Sequence, residues 1–190
     1  MFAGQNVVFT TVSSQKDISQ ILDLQAKNLE KSLNEELALA EGFVTVEHAP
    51  DVLWRMNLQK PSIIAKYEDN VIAYALIMPR TFVSEVPILK PMFDILYTLK
   101  WRNAALGENE KWFVMGQVCI ERNFRGCGVF DGLYTSMADV WASEYDFTVT
   151  EVAERNTRSV QAHKRVGFKT IYKYKDNLSG ETWLIMLLEF

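Results

Sequence analysis

The sequence predicts a single α/β domain spanning residues 1–190, built on a central mixed, twisted sheet with helices on both faces. Three observations carry that expectation. Strand-like and helix-like runs alternate through the second half of the chain, and such a pattern needs a crossover and hence at least one parallel strand pair. An early hairpin adds antiparallel pairing, because SIIAKY and VIAYALIM are β-branched and aromatic runs joined by the polar turn EDN. A chain of 190 residues with 48% hydrophobic content has enough material for a core without a staple. No internal repeat, low-complexity tract or linker divides it.

Taken in order, Val7 to Thr11 reads as a first strand, and Ser14 as the N-cap of a following helix, with Asp17 of the right sign for that helix end. Ile21, Leu22, Leu24, Leu29 and Leu33 keep a helical period, giving one or two amphipathic helices. Pro50 opens a short helix carrying Val52, Leu53 and Met56. After the hairpin, Arg80 to Asn109 reads as an insert in which Met92 to Trp101 has helical spacing. Lys111 to Ile120 is a strand with Gly116 as a bulge or close-approach point, and a helix follows from near Val129 to about Glu144. Phe147 to Val152 is the next strand and Thr157 to Val166 the next helix. Lys169 to Tyr174 and Thr182 to Phe190 form a terminal strand pair.

Charge and cysteine usage narrow the function. Twenty Lys and Arg against 24 Asp and Glu leave a net charge of −4 and a pI near 5.3, so no global field draws nucleic acid or an anionic membrane. Neither is expected as a partner, and any anion site must be local. Cys119 and Cys127 are too few for a disulfide framework and sit in no Cys/His metal pattern, which points to a reduced cytoplasmic setting without a metal. The start has no basic residue before Lys16 and does not read as a signal peptide. Val71 to Pro79, the longest clearly apolar stretch, is about half of the roughly 20 residues a spanning helix needs.

One turn offers such a local anion site. In E-R-N-F-R-G-C-G-V-F, between a strand and a helix, two glycines let the backbone turn tightly and present N–H groups at a helix N-terminus, with Arg122 and Arg125 beside them. An ordinary glycine-containing turn would look the same in isolation. The segment is neither a P-loop, since no Gly-Lys-Ser/Thr follows, nor a dinucleotide fingerprint. A second element strengthens it: Arg155 to Lys169 holds five Lys/Arg and no acidic residue, a basic patch in an acidic chain or a solvated helix face.

Together these segments resemble the GNAT superfamily of acetyl-CoA-dependent N-acyltransferases, most strongly over residues 113–174 and only in outline over the N-terminal third and the insert. The family's Q/R-x-x-G-x-G/A pyrophosphate loop falls on Arg125, Gly126, Cys127, Gly128, Val129 and Phe130, with Phe130 departing from the usual small residue. Its second motif falls on Asn156, Ser159, His163, Gly167 and Phe168. The resemblance implies that Asn156 and Ser159 contact the pantetheine arm. His163 stands where a tyrosine usually protonates the departing thiolate. In members that acetylate ribosomal-protein N-termini the base is the carboxylate of a strand L-E-V, which falls on Glu151 of T-E-V.

The implied activity is transfer of acetyl from acetyl-CoA to a primary amine, by direct attack in a ternary complex and without a metal. An amine must lose a proton to attack a thioester, and Glu151 is the best-placed base, on the strand face opposite Thr150 and Val152. The backbone at Val118 and Ile120, left unpaired by a splayed neighbour, would bond the pantetheine amides as an added strand does. Cys127 has no adjacent His and makes a poor nucleophile, and His48 reads as a residue leading into the helix at Pro50. The first 60 residues hold eight acidic and five basic residues, and Glu35, Glu36, Glu41 and Glu47 would suit a cationic acceptor or form a solvated face. Phe43, Phe82, Phe93, Tyr97 and Trp101 would roof the acceptor side or serve as core. Replacement of the usual residues at Phe130 and His163 leaves a rival reading, an inactive acyl-CoA-binding sensor or scaffold.

Overall fold

In the computed structural model, residues 6–34, 36, 38, 41–107, 111–177 and 179–190 are described, and one seven-stranded sheet organises them. Its strands are β1 (Val8–Thr11), β2 (Ile63–Tyr67), β3 (Asn70–Met78), β6 (Trp112–Ile120), β7 (Phe147–Ala153), β9 (Thr182–Glu189) and β8 (Lys169–Lys175), in that spatial order. Every neighbouring pair is antiparallel except β6 with β7. That exception follows from the crossover between them, which a right-handed helical connection closes.

The expected hairpin joins β2 to β3, with Glu68 and Asp69 both at positive φ, as the primed turns of tight hairpins require. Helix α1 (Gln15–Asn28) starts with a full capping box, Ser14 accepting from the Asp17 N–H while Asp17 Oδ2 accepts from the Ser14 N–H. It ends before the helical period does: Leu29 makes a parallel bridge to Val44, and a 3-10 turn follows at Glu30–Ser32. Helix α2 (Pro50–Gln59) begins at Pro50 as expected.

The insert corrects the expected helix over Met92 to Trp101. Helix α3 covers Lys90–Leu96, and the chain then tightens, with the Thr98 N–H bonding the Ile95 carbonyl. Lys100–Trp101 (β4) and Ala104–Ala105 (β5) form a small hairpin turned by Arg102 and Asn103 at positive φ. Phe82 and Phe93 pack with Met92, Leu96 and Trp112 in the core, so they close the end of the sheet. They do not roof the site.

Helices α4 (Val129–Trp141) and α5 (Thr157–Arg165) cover one sheet face, where Leu133, Met137 and Val160 join Ala75, Phe113 and Val152. Helices α1 and α2 and the insert cover the other face. Gly132 shows how close α4 lies to the sheet: a Cβ there would sit 2.1 Å from Phe9 Cζ. No helix among the described residues is long and apolar enough to cross a membrane.

Candidate active site

The parallel strands part company early. β6 and β7 pair only at Trp112 with Phe147, Phe113 with Thr148 and Val114 with Val149, although β6 runs on to Ile120 and β7 to Ala153. The register of β3 on β6 slips between Leu76 and Ile77, which face Gln117 and Met115, so Gly116 is the extra residue of a bulge. A bulge bends its strand, and here β6 leans away from β7. A narrow cleft of about 60 Å³ fills the gap, bordered by Met115 to Val118 on one side and Thr150 to Ala153 on the other. Phe43, Val44, Val118, Asn156 and Ser159 also border a larger cavity of about 500 Å³.

That larger cavity opens on the N-terminus of α4. Gly128 caps the helix at φ 81° with no side-chain hydrogen bond, so the first-turn amides depend on another partner. Gly126 is also left-handed, at φ 75°, and a Cβ on either glycine would meet nothing within 4 Å. The backbone therefore borders open space at a helix terminus, a geometry that suits an anion. The cavity lining includes Gly126, Gly128 and Phe130, with Arg125, Arg158 and Arg165 nearby. It does not include Cys127, which is exposed, or Val129, whose side chain is in the core. Those two residues have only main-chain groups to offer.

Arg125 is less available than its place in the motif suggests. Its Nε donates to the Ile120 carbonyl (2.9 Å), one terminal nitrogen to both the carbonyl (3.1 Å) and the carboxylate (2.7 Å) of Glu41, and the other to Asn28 Oδ1 (2.7 Å). It thus ties the loop to the end of α1. Phe130 turns its ring into the packing of α4 and α5, 4.9 Å from the Tyr134 ring and 5.2 Å from the His163 ring, while still bordering the cavity. Asn156 caps α5 by accepting the Ser159 N–H (3.3 Å) and donates Nδ2 to the Phe43 carbonyl (3.1 Å), so it pins the 43–44 segment over the junction of the cavities.

Glu151 borders the cleft on the sheet face it shares with Val149, while Val152 points toward α4 and α5. Burial raises its pKa to about 7, even though the Tyr174 hydroxyl, reaching from β8 across β9, donates to the carboxylate and favours the charged form. Asp176 adds to the rise. A carboxylate poised near neutrality beside a cleft is suited to taking a proton.

His163 is placed differently from a proton donor. It is fully buried, and burial lowers its pKa from 6.5 to about 4, so it is neutral at neutral pH. Its Nδ1 lies 2.8 Å from the Ser159 carbonyl, which only accepts, so Nδ1 carries the proton. Nε2 then accepts from the Tyr134 hydroxyl at 3.0 Å. With its single N–H committed to the helix backbone, the ring does not fit the acid role expected for it.

Several contacts have no signal in the sequence. Tyr174, Tyr134 and the arginine partners of Glu41 are brought in from distant segments. Buried beneath the cleft, Gln25 Nε2 (2.7 Å) and the Tyr74 hydroxyl (2.6 Å) both donate to Gln117 Oε1. Gln25 Nε2 also lies 2.8 Å from His48 Nδ1, and burial lowers the His48 pKa to about 4. His48 is therefore part of the packing that holds β6. The acidic group expected to attract an acceptor is dispersed: Glu47 pairs with Lys31, Glu41 faces arginines, and Glu35 lies outside the described residues. Of the aromatics expected to roof the acceptor, Phe43 borders the cleft, Tyr97 is exposed and Trp101 donates Nε1 to Glu189 (3.3 Å). Among the described residues no cluster of His, Cys, Asp and Glu could hold a metal.

The fold is similar to that of solved acetyltransferases, among them one of the GNAT family. A protein of Desulfovibrio desulfuricans described as a GNAT-family acetyltransferase matches with a TM-score of 0.64 at 13% identity, over 96% of this chain and 98% of that one. The ribosomal-protein-S18-alanine N-acetyltransferase of Escherichia coli matches with 0.61 at 9% identity, over 96% and 93%. yncA of Salmonella typhimurium, solved with its cofactor acetyl-CoA, matches with 0.61 at 11%, over 96% and 93%. No protein-family model and no curated protein matches the sequence.

Proposed function

We propose that the protein is an acyl-CoA-dependent N-acyltransferase that moves acetyl from acetyl-CoA to a primary amine by direct attack in a ternary complex. The observation that carries this reading is the adjacency of the two cavities, which share Phe43, Val44, Val118, Asn156 and Ser159 as walls, with the uncapped α4 amides beside the larger and Glu151 bordering the smaller. Open space beside Gly126 and Gly128 fits a diphosphate. The main chain at Val118, which borders both cavities, suits a pantetheine amide, whereas the Ile120 carbonyl, expected to do the same, is already taken by Arg125 Nε. Asn156 and Ser159, which border both cavities, mark the turn between them. Arg125 contributes by holding the loop, and Cys127, Val129 and Phe130 through their main chain.

When bound, the acyl thioester supplies an electrophilic carbonyl and a thiolate leaving group. Glu151, ionised above about pH 7, accepts one proton from the ammonium form of the acceptor, which frees the nitrogen lone pair for attack. Main-chain N–H groups at the bulge around Gly116 and Gln117 stabilise the charge that develops on the carbonyl oxygen. As the new C–N bond forms and the C–S bond breaks, the nitrogen gives its second proton to solvent water, and solvent in turn returns a proton to the departing thiolate. His163 holds Tyr134 and the first turns of α5 in place and moves no proton.

The test is a thermal-shift and turnover assay with acetyl-CoA and a panel of amines, from small amines and aminoglycosides to peptide N-termini and lysines. Stabilisation by acetyl-CoA together with thiol release on one amine class is the expected result. Stabilisation with no thiol release on any amine would instead establish the sensor reading, and no stabilisation would overturn both.

A further inference from the structure

The large cavity already contains an anion that belongs to the protein. The Glu41 carboxylate lies 2.7 Å from Arg125, 3.2 Å from Arg122 and 3.8 Å from Arg158, and these guanidinium groups together hold its pKa below the usual carboxylate range. The three arginines come from two segments, the loop before α4 and the first turn of α5. Arg165, which lines the same cavity, is instead paired with Asp131 in the first turn of α4. Glu41 and the backbone of Gly126 and Gly128 border the same space.

We propose that Glu41 is a resident counter-anion, whose carboxylate competes with the diphosphate of the nucleotide ligand for the Arg122, Arg125 and Arg158 cluster and thereby weakens and tunes cofactor affinity. The inference rests on the acyl-CoA reading and adds a residue that sets affinity for it. Two features separate this role from a purely structural one. The backbone carbonyl of Glu41 and the contacts to Ile120 and Asn28 anchor Arg125 independently of the carboxylate. The carboxylate is also partly accessible, at 22% exposure, so it can swing away without unpacking the core. A charge that neutralises a binding cluster lowers its attraction for any incoming anion, and removing that charge raises both affinity and its dependence on salt.

The experiment is calorimetric titration of CoA into the full chain and its Glu41→Gln variant at low and high salt, with phosphate-free pantetheine as the control ligand. We expect Glu41→Gln to bind CoA about tenfold more tightly at low salt, with a steeper loss of affinity as salt rises and no change toward pantetheine. The KM for acetyl-CoA should fall in parallel. Glu41→Ala tests the same gain should the glutamine variant fail to fold. Variants that bind CoA no more tightly than a wild type that does bind it would overturn the inference and leave the acyl-CoA reading standing. If the wild type and both variants all fail to bind CoA, that reading falls and the inference with it. Binding detectable only in the variants would support both.

Discussion

The two neighbouring cavities treat a carboxylate in opposite ways. In the larger one, Glu41 sits among three guanidinium groups, which outweigh its desolvation and hold its pKa below the usual carboxylate range. In the cleft, Glu151 is half-buried with a phenol as its hydrogen-bond partner, and its pKa climbs to about 7. The contrast divides the labour of the site, since the first environment suits holding charge and the second suits moving a proton. It also shows why residue type alone is a poor guide to role. Both are glutamates, separated in ionisation by what the fold packs around them.

The largest effect should come from Glu151→Gln. Removing the base is expected to lower kcat by about a hundredfold and to abolish the acidic limb expected near pH 7 for the wild type, while CoA affinity holds. A limb shared by both proteins would erase the distinction between the two carboxylates. Next comes Gly128→Val, which forces a β-branched residue to a φ of 81° and fills the open space beside the α4 terminus. Calorimetry should show CoA affinity falling by more than about tenfold, with the cleft end of the site intact.

A smaller effect tests the burial of His163 and His48, each lowered from 6.5 to about 4. Below pH 6.5 the unfolded chain protonates these imidazoles while the folded chain does not, so it binds more protons and stability falls as pH drops from about 6.5 toward 4. Glu151 runs the other way: its raised pKa makes the folded state bind the extra proton, so its contribution is lost as pH rises from 4.5 through about 7. Thermal melts of the wild type and His163→Phe should show a weaker acid slope in the variant, and turnover should show an unchanged alkaline limb. A limb that moves would restore an acid role to His163. Smallest is Tyr174→Phe, which removes the hydrogen bond favouring ionised Glu151 and should shift the acidic limb upward in pH.

Legibility in the sequence follows locality. Gly126 and Gly128 before α4, the Ser14 N-cap and the irregularity at Gly116 are each encoded within a few residues and appear where the sequence places them, whereas the cap that Asn156 makes for α5 emerges only in the structure. The insert was misjudged because helical spacing over Met92 to Trp101 says nothing of Arg102 and Asn103, whose left-handed conformations redirect the chain into a hairpin. Phe130 departs from the motif it interrupts, yet its ring has a place against Tyr134 that only the α4–α5 packing provides.

The sequence by itself determined the elements outside the insert, the parallel crossover and the glycine turn before α4, because local backbone conformation is a property of neighbouring residues. Only the tertiary structure decided the ionisation and partners of the side chains there. Arg125 meets Glu41 across 84 positions of chain, and Tyr174 meets Glu151 by reaching over an intervening strand. A proton's affinity for a side chain depends on desolvation and on charges within a few ångströms, and those are set by which distant segments the fold packs together.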